Sequence, residues 1–421
     1  MADRTLNVFL NQKLAGTYTF TDRGGFAFRY DADYLVSSKE PLSLSLSLQE
    51  EEFDTAQTEP FFSGLLPDEA FRKRLARYLG VSEENTFSLL QAVGRECAGA
   101  VAFYPVGETP EAPKQADKEE LDDKKLLELL DLMKTQPLLA EHDGIRLSLA
   151  GSQNKMAVGY ENGKVFLIKN GSPTTHILKP VMEQAEIDYS VQNEFFCMKL
   201  AKRCGLSAPQ VHIVQVGDIS CFVVDRYDRA EIDGKTVRVH QEDFCQALGI
   251  PPTKKYEVEG GPSVKDGIAL LKRNSALPVA DIDTFLKMVE FNYLIGNADA
   301  HGKNFSILYG KNGIRLAPVY DVMDTDVYPR VSKKMAMKIG KKYDAPYIFK
   351  HHWLSYADGS EKAKERVWKQ MVDFKHTVLE QSARLAEELN ASPYSSPVYE
   401  RILKTIEQRS HFMENEVSVA P

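Results

Sequence analysis

The spacing of the apolar residues changes once along this chain, and that change restricts the fold more than any other feature. From Leu6 to about Tyr227 the apolar runs are short and strand-like: LNVFLN, LAGTYTF, FAFRY, KMAVGY, KVFLIK, THILKP, VHIVQV and SCFVVDRY. After about residue 240 they recur every three to four positions. HQEDFCQALG reads as helical, and in DIDTFLKMVEFNYLIGN the residues Ile282, Phe285, Leu286, Val289 and Tyr293 form one stripe. Helical patterns return after about residue 360. Two helices interrupt the β-rich part. PDEAFRKRLARYLG carries Phe71, Leu75 and Leu79 at helical spacing before Gly80, and VQNEFFCMKLAKRCGL is stopped by Gly205. The expectation is an α+β chain with a β-rich N-terminal lobe and an α-rich C-terminal lobe.

A chain of 421 residues exceeds one ordinary core. The composition breaks at GETPEAPKQADKEELDDK, where prolines and charges replace large apolar residues. The predicted organisation is an N-terminal subdomain over 1–107, a linker over 108–124, a β-rich part over 125–228 opening with the helix LLELLDLMK, and an α-helical lobe over 229–421. A net charge of −8 argues against broad nucleic-acid binding by this chain alone, so any DNA contact is expected through a partner. The five cysteines form no CxxC pair and read as buried thiols in a reducing cytoplasm. No apolar run approaches the roughly 18 residues of a membrane span, and MADRTLNVFL lacks a basic leader, so no membrane partner is expected.

The chemistry-bearing stretch is GNADAHGKNF, between an apolar helix and a predicted hairpin, FSILY-GKNG-IRLAPVYD. Asp299 and Asn304 stand in D-x-x-x-x-N spacing, and Asp321 follows the second hairpin strand. Phosphoryl transfer needs a carboxylate to accept the proton of the attacking hydroxyl and oxygen donors to hold Mg²⁺ against phosphates. The same letters also suit a loop that caps a helix and makes turns. Upstream, Lys179 ends the strand THILKP and Glu194 lies in a helix about fifteen residues later, the order of a phosphate-gripping lysine and its supporting glutamate. Each alone also suits a solvated surface charge. SLAGSQNK is a small-residue turn in which Ala150, Gly151 and Ser152 would bring backbone N–H groups to phosphates, with Lys155 adding charge. In CFVVDRYDR the backbone of Asp225 and Tyr227 would pair with an adenine edge and Asp228 would reach the ribose. An exposed strand end predicts the same letters; the order of all these features is what favours a two-lobed protein-kinase-like fold.

SLAGSQNK, PTTHILKP, NEFFCMKLAKRCGL, VVDRYDR, HQEDFCQALG, FNYLIGNADAHGKNFSIL and LAPVYDV together resemble the HipA family, the serine/threonine-kinase toxins of bacterial HipBA toxin–antitoxin modules. PFFSGLLPDE resembles that family's N-terminal subdomain. The resemblance implies ATP and Mg²⁺ as cofactors, Asp299 as the catalytic aspartate, Asn304 and Asp321 as metal ligands, Lys179 as the ATP-phosphate lysine and Lys155 as the phosphate-loop lysine. Ser148 matches a loop serine that family members phosphorylate on themselves as an off-switch. This sequence departs from the common loop pattern at Ser152 and Asn154, so Ser148 and Ser152 both offer a hydroxyl. His301 either positions the catalytic loop or contacts phosphate, the first being favoured.

The resemblance further implies a HipB-like helix-turn-helix antitoxin, operator DNA bound mainly through that antitoxin, and an aminoacyl-tRNA synthetase as substrate, the glutamate enzyme first. Growth arrest and persistence would follow. Two other readings stand beside it. A phosphoinositide-type lipid kinase shares D-x-H-x-x-N, as in Asp299, His301 and Asn304, but needs a membrane-facing surface that the sequence does not offer. A nucleotide-binding corepressor with little catalysis would keep the binding residues and lose the transfer.

Overall fold

A computed structural model of the chain describes residues 4–110, 118–139, 153–169, 172–182, 184, 186–357 and 359–414. The chain divides into two units, one of Met1–Pro180, Val214–Lys254 and Ile307–Asn312, the other of Val181–Ile213, Lys255–Ser306 and Gly313–Pro421.

The first unit opens with the predicted hairpin, β1 (Thr5–Leu10) and β2 (Lys13–Phe20), turning at Asn11, whose φ of 56° suits an asparagine. With β3 (Phe26–Tyr30) and β4 (Val101–Pro105) it makes an antiparallel sheet in the order β3-β2-β1-β4. Period-two alternation sends Leu6, Val8 and Tyr18 into one core with Phe28, Phe61, Phe62 and Phe103. Tyr18 and Phe62 stack there at 4.2 Å between ring centroids. The helix Glu69–Leu79 ends at Gly80 in the left-handed region, as its sequence predicts.

A six-stranded sheet follows in the order β5-β7-β6-β8-β10-β9: β5 (Lys118–Leu121), β6 (Met156–Glu161), β7 (Lys164–Ile168), β8 (His176–Pro180), β9 (Val211–Val216) and β10 (Ile219–Asp225). The helix Asp123–Thr135 packs Leu126, Leu129, Leu130 and Met133 against Val158, Leu167, Leu178 and Val223 of this sheet. β5 falls inside the stretch that composition assigns to a linker. Its charges are paired: Lys118 meets Glu161 at 2.6 Å, Lys164 meets Glu120 at 2.8 Å, and Glu119 takes Lys125 and Lys169 at 2.7 Å each. Each exposed pair contributes little, but together they let a charged edge strand join the sheet. A second departure is HQEDFCQALG, where His240–Asp243 is a buried strand and the helix spans only Phe244–Ala247, opened by an Asp243/Gln246 capping box.

In the second unit the helix Ser190–Arg203 is buried on most of its faces, including Val191, Phe195, Phe196, Met198 and Leu200. It packs against Glu361–Asn390 and Val398–Glu414, with Phe196 stacked on Tyr399 at 5.1 Å. The predicted helix DIDTFLKMVEFNYLIGN is Pro278–Leu294. Near its start Asp281 accepts hydrogen bonds from Arg315 Nη2 at 2.8 Å, Ser275 Oγ at 2.6 Å and Leu316 N–H at 3.0 Å, which locks the strand Gly313–Leu316 to it. All five cysteines are free thiols, four of them buried. Among the described residues no helix is long and apolar enough to cross a membrane.

Candidate active site

The GNADAHGKNF loop begins where the helix Pro278–Leu294 must stop. Gly296 has φ of +73°, and a Cβ there would stand 2.5 Å from Thr405 Cγ2 and 2.7 Å from Asp324 Oδ1, so only glycine fits. Asn297 then redirects the chain: its N–H donates to Asn292 O at 2.9 Å, its Nδ2 to Asn292 Oδ1 at 2.7 Å, and its Oδ1 accepts Asp299 N–H at 3.2 Å. Thr325 Oγ1 donates to Gly296 O at 3.0 Å and accepts Ala298 N–H at 2.8 Å. The outcome is a braced loop with the Asp299 side chain exposed at its tip.

Three further bonds hold the remaining polar residues around Asp299. His301 N–H donates to Asp299 O at 2.8 Å, Asn304 N–H donates to His301 O at 2.9 Å, and Asn304 Nδ2 donates to Asp299 O at 3.4 Å. The last bond uses the amide nitrogen of Asn304 and leaves its carbonyl oxygen as a donor for a cation. The His301 ring is buried and meets the Tyr256 ring edge-on at 5.1 Å. Tyr256 was not legible in the sequence, although its hydroxyl donates to Asp299 Oδ1 at 2.5 Å.

Asp321 joins this group through its neighbour. Tyr320 OH lies 2.6 Å from both Lys303 O and Ser306 Oγ, tying the segment before Asp321 to the segment around Asn304. Asp321 itself is exposed with φ of 56°, a left-handed conformation that aspartate adopts more readily than most non-glycine residues. Downstream, Asp324 is fully buried, and burial pushes its carboxyl up to about 7. The backbone of Asp324 is held by Asn193, the neighbour of Glu194 on the helix Ser190–Arg203. Glu194 is buried at 5% exposure. The segments that carry Asp299, His301, Asn304, Asp321 and Glu194 are therefore linked by hydrogen bonds within the second unit.

In the first unit, Lys179 on β8 is buried at 6% exposure, opposite Phe222 of β10, with its ammonium 5.8 Å from that ring's centroid. Lys155, also buried, precedes β6. The residues before it are anchored, Gln153 Nε2 donating to Pro180 O at 3.2 Å and Arg74 Nη2 to Asn154 Oδ1 at 2.9 Å. This holds the Lys155 turn beside the end of the Lys179 strand. Ser148, Ala150, Gly151 and Ser152 lie outside the described residues.

Two family models account for most of the chain: the HipA-like C-terminal domain matches residues 147–386 and the HipA N-terminal domain matches residues 6–104. The chain belongs to the HipA-like kinase toxin family. It is 40% identical to Y4mE of Sinorhizobium fredii, over 92% of this chain and 93% of that one. It is 33% identical to the serine/threonine-protein kinase toxin HipA of Shewanella oneidensis, covering 84% of this chain and 83% of the relative. A solved complex of Shewanella oneidensis HipA and HipB with operator DNA matches with a TM-score of 0.81 at 28% identity, over 98% of this chain and 100% of that one. The mixed architecture with β-rich and α-rich regions is thus the HipA kinase fold, and the chain is an enzyme of the serine/threonine-kinase class.

One predicted HipA site residue needs correction. Asp228 does not stand open to a ribose: it is buried, its Oδ2 accepts Gly99 N–H at 2.7 Å and Arg226 Nη2 at 2.8 Å, and its Oδ1 accepts Arg226 Nε at 3.0 Å. Arg229 also lies 3.0 Å from Oδ2. Both oxygens are used inside a charge cluster completed by Glu96, which takes Arg229 at 2.7 Å and Thr174 Oγ1 at 2.7 Å, with Arg226 at 3.3 Å and Arg238 at 4.0 Å. Burial raises the Glu96 carboxyl, but the three guanidiniums outweigh it and hold it down at about 2. Asp225 and Tyr227 remain at the end of β10, Asp225 Oδ1 3.0 Å from His176 Nε2 and Tyr227 OH donating to Gln241 Oε1 at 2.6 Å. A cavity of about 1360 Å³ in this unit is lined by Glu96, Tyr104, Arg238 and Tyr309 and by none of the predicted site residues.

Proposed function

We propose that this HipA-family toxin is a Mg-ATP-dependent kinase whose transfer step runs on Asp299, Asn304, Asp321 and Lys179. The observation that carries the reading is the bond from Asn304 Nδ2 to the carbonyl of Asp299, in a loop that Tyr320 ties to Asp321. In this reading the exposed Asp299 carboxylate would work beside the side-chain oxygens of Asn304 and Asp321, the donor type that Mg²⁺ prefers. In this reading the Asp299 carboxylate accepts the proton of a serine or threonine hydroxyl on the protein substrate. That oxygen bonds to the terminal phosphorus of ATP as the bond to the departing ADP oxygen breaks. Asn304 and Asp321 would hold Mg²⁺, which when bound neutralises charge on the phosphates.

Lys179 would neutralise phosphate charge with Glu194 as its partner. Lys155 and the backbone of Ala150, Gly151 and Ser152 would form the phosphate loop, and the backbone at Asp225 and Tyr227 would receive the adenine. His301 is assigned to packing under Asp299 rather than to phosphate.

The substrate we propose is an aminoacyl-tRNA synthetase, with the glutamate enzyme first, so that phosphorylation arrests translation and growth. Ser148 would be the self-phosphorylated off-switch: about two negative charges beside the triphosphate site would repel nucleotide. A HipB-like antitoxin and operator DNA are the proposed partners, on the strength of the Shewanella complex. The net charge of −8 fits a DNA affinity that would come mainly from the antitoxin.

The experiment is to incubate the protein with γ-labelled Mg-ATP in a bacterial lysate, identify every labelled band by mass spectrometry and map any self-labelled serine. Label on one tRNA synthetase and on Ser148 is the expected result. Label confined to other proteins, or to Ser152, would remove the synthetase or the off-switch from the account respectively.

A further inference from the structure

The catalytic loop is touched by a residue from outside it that the transfer chemistry has not yet used. Tyr256 lies 43 positions before Asp299, in the segment KYEVEGG, and its hydroxyl donates to Asp299 Oδ1 at 2.5 Å. A carboxylate exposed at a loop tip is otherwise free to turn about its terminal torsion, which is broad and roughly two-fold. A general base must instead present one oxygen along the line of the proton it takes.

The segment that carries Tyr256 is braced. Lys255 O accepts Gly302 N–H from the catalytic loop at 3.1 Å, and Tyr256 O accepts N–H from both Glu259 and Gly261 at 2.9 Å. The Tyr256 ring lies edge-on to His301 with an interplanar angle of 84°, and the Lys255 ammonium sits 5.6 Å from its centroid. Glu257 anchors the next residue to the strand Lys334–Ile339, its Oε2 accepting Lys338 N–H at 2.6 Å and its Oε1 lying 3.5 Å from Lys338 Nζ. Gly260, at φ of +94°, closes the turn. A phenol held from both sides of its backbone and on its ring is a fixture, whereas a plug that must leave before each turnover would need slack here.

We propose that Tyr256 is a positioning residue for phosphotransfer: it holds Asp299 Oδ1 so that Oδ2 is the oxygen that meets the acceptor hydroxyl. This rests on the reading of Asp299 as the proton acceptor. The opposite reading of the same bond, in which the phenol occupies the acceptor's place and must be displaced, predicts the opposite sign for its removal.

The test uses the full chain, with lysate protein as acceptor and saturating γ-labelled Mg-ATP, and compares wild type, Tyr256→Phe, the protein with 4-aminophenylalanine in place of Tyr256, Asp299→Ala, and the double variant Tyr256→Phe with Asp299→Ala. Losing the hydroxyl is expected to lower the maximal transfer rate about tenfold, with KM for ATP and the melting temperature unchanged. The aniline N–H of 4-aminophenylalanine restores the donor and most of the rate, which a ring needed only for packing would not require. In the Asp299→Ala background the Phe substitution has no further effect. A Tyr256→Phe rate equal to or above wild type, or an aniline variant as slow as the Phe variant, overturns the proposal. Full transfer by Asp299→Ala would instead remove the reading on which it rests, so the two failures are distinguishable.

Discussion

Asn193 and Asp324 are joined by two hydrogen bonds of 2.8 Å, Asn193 Oδ1 accepting the Asp324 N–H and Asn193 Nδ2 donating to the Asp324 carbonyl. Both residues are fully buried, and Asn193 Nδ2 also lies 3.0 Å from Tyr328 OH. One asparagine therefore couples the helix that carries Glu194 to the backbone three residues after Asp321. Asn193→Ala leaves a buried N–H and a buried carbonyl without their partner, and the expected cost is about 2–4 kcal/mol. A thermal melt with a urea titration measures it, and the same variant is expected to lose transfer rate more than ATP affinity.

Gly296 marks the second structural dependence. Alanine there would have to adopt a left-handed backbone and push against Thr405, Asp324 and Asp326. Gly296→Ala is expected to destabilise by about 2–4 kcal/mol and to abolish transfer at temperatures where the wild type is folded. Denaturant midpoints and the rate at reduced temperature check the two parts.

Glu96 sets a pH dependence with a definite sign. Its folded carboxyl is held at about 2 against the ordinary 4.5, so its contribution is fully present above about pH 4.5 and is lost as pH falls towards 2. Glu96→Gln leaves Arg226 and Arg229 with one carboxylate, Asp228, removes the carboxylate 4.0 Å from Arg238, and should cost about 3–5 kcal/mol at neutral pH. Stability measured from pH 7 to pH 3 should fall less steeply in the variant than in the wild type. Parallel curves would contradict this.

Lys179→Met removes a buried ammonium proposed to face the nucleotide phosphates while keeping the aliphatic stem against Phe222. ATP affinity by titration calorimetry is expected to fall at least about tenfold, roughly 1.4 kcal/mol. Unchanged affinity would take Lys179 out of the nucleotide site.

Features whose parts lie close together in the chain are legible in the sequence. Gly80 and Gly205 stop their helices where the sequence says, and the D-x-x-x-x-N residues are brought round Asp299 by bonds spanning only two to five positions. Features whose parts meet only after folding were not. Asp228 reads as an open strand-end carboxylate until Arg226 and the distant Gly99 are placed around it, and Glu96 meets Arg226 across 130 positions. Lys118–Leu121 reads as linker because pairing across strands leaves no mark on composition. His240–Asp243 reads as helix because burial of all four residues, rather than their local preference, makes them a strand. Tyr256 had no local signal at all, being one aromatic residue in a polar turn.

Whether Asp299 takes the acceptor's proton is decided by measuring transfer rate and nucleotide affinity together on wild type and Asp299→Ala. Because Asp299 is exposed at the loop tip, the variant should keep its melting temperature and its ATP affinity. Transfer is expected to fall at least about a hundredfold. Transfer at the wild-type rate, with the nucleotide bound as tightly as before, would contradict that role for Asp299.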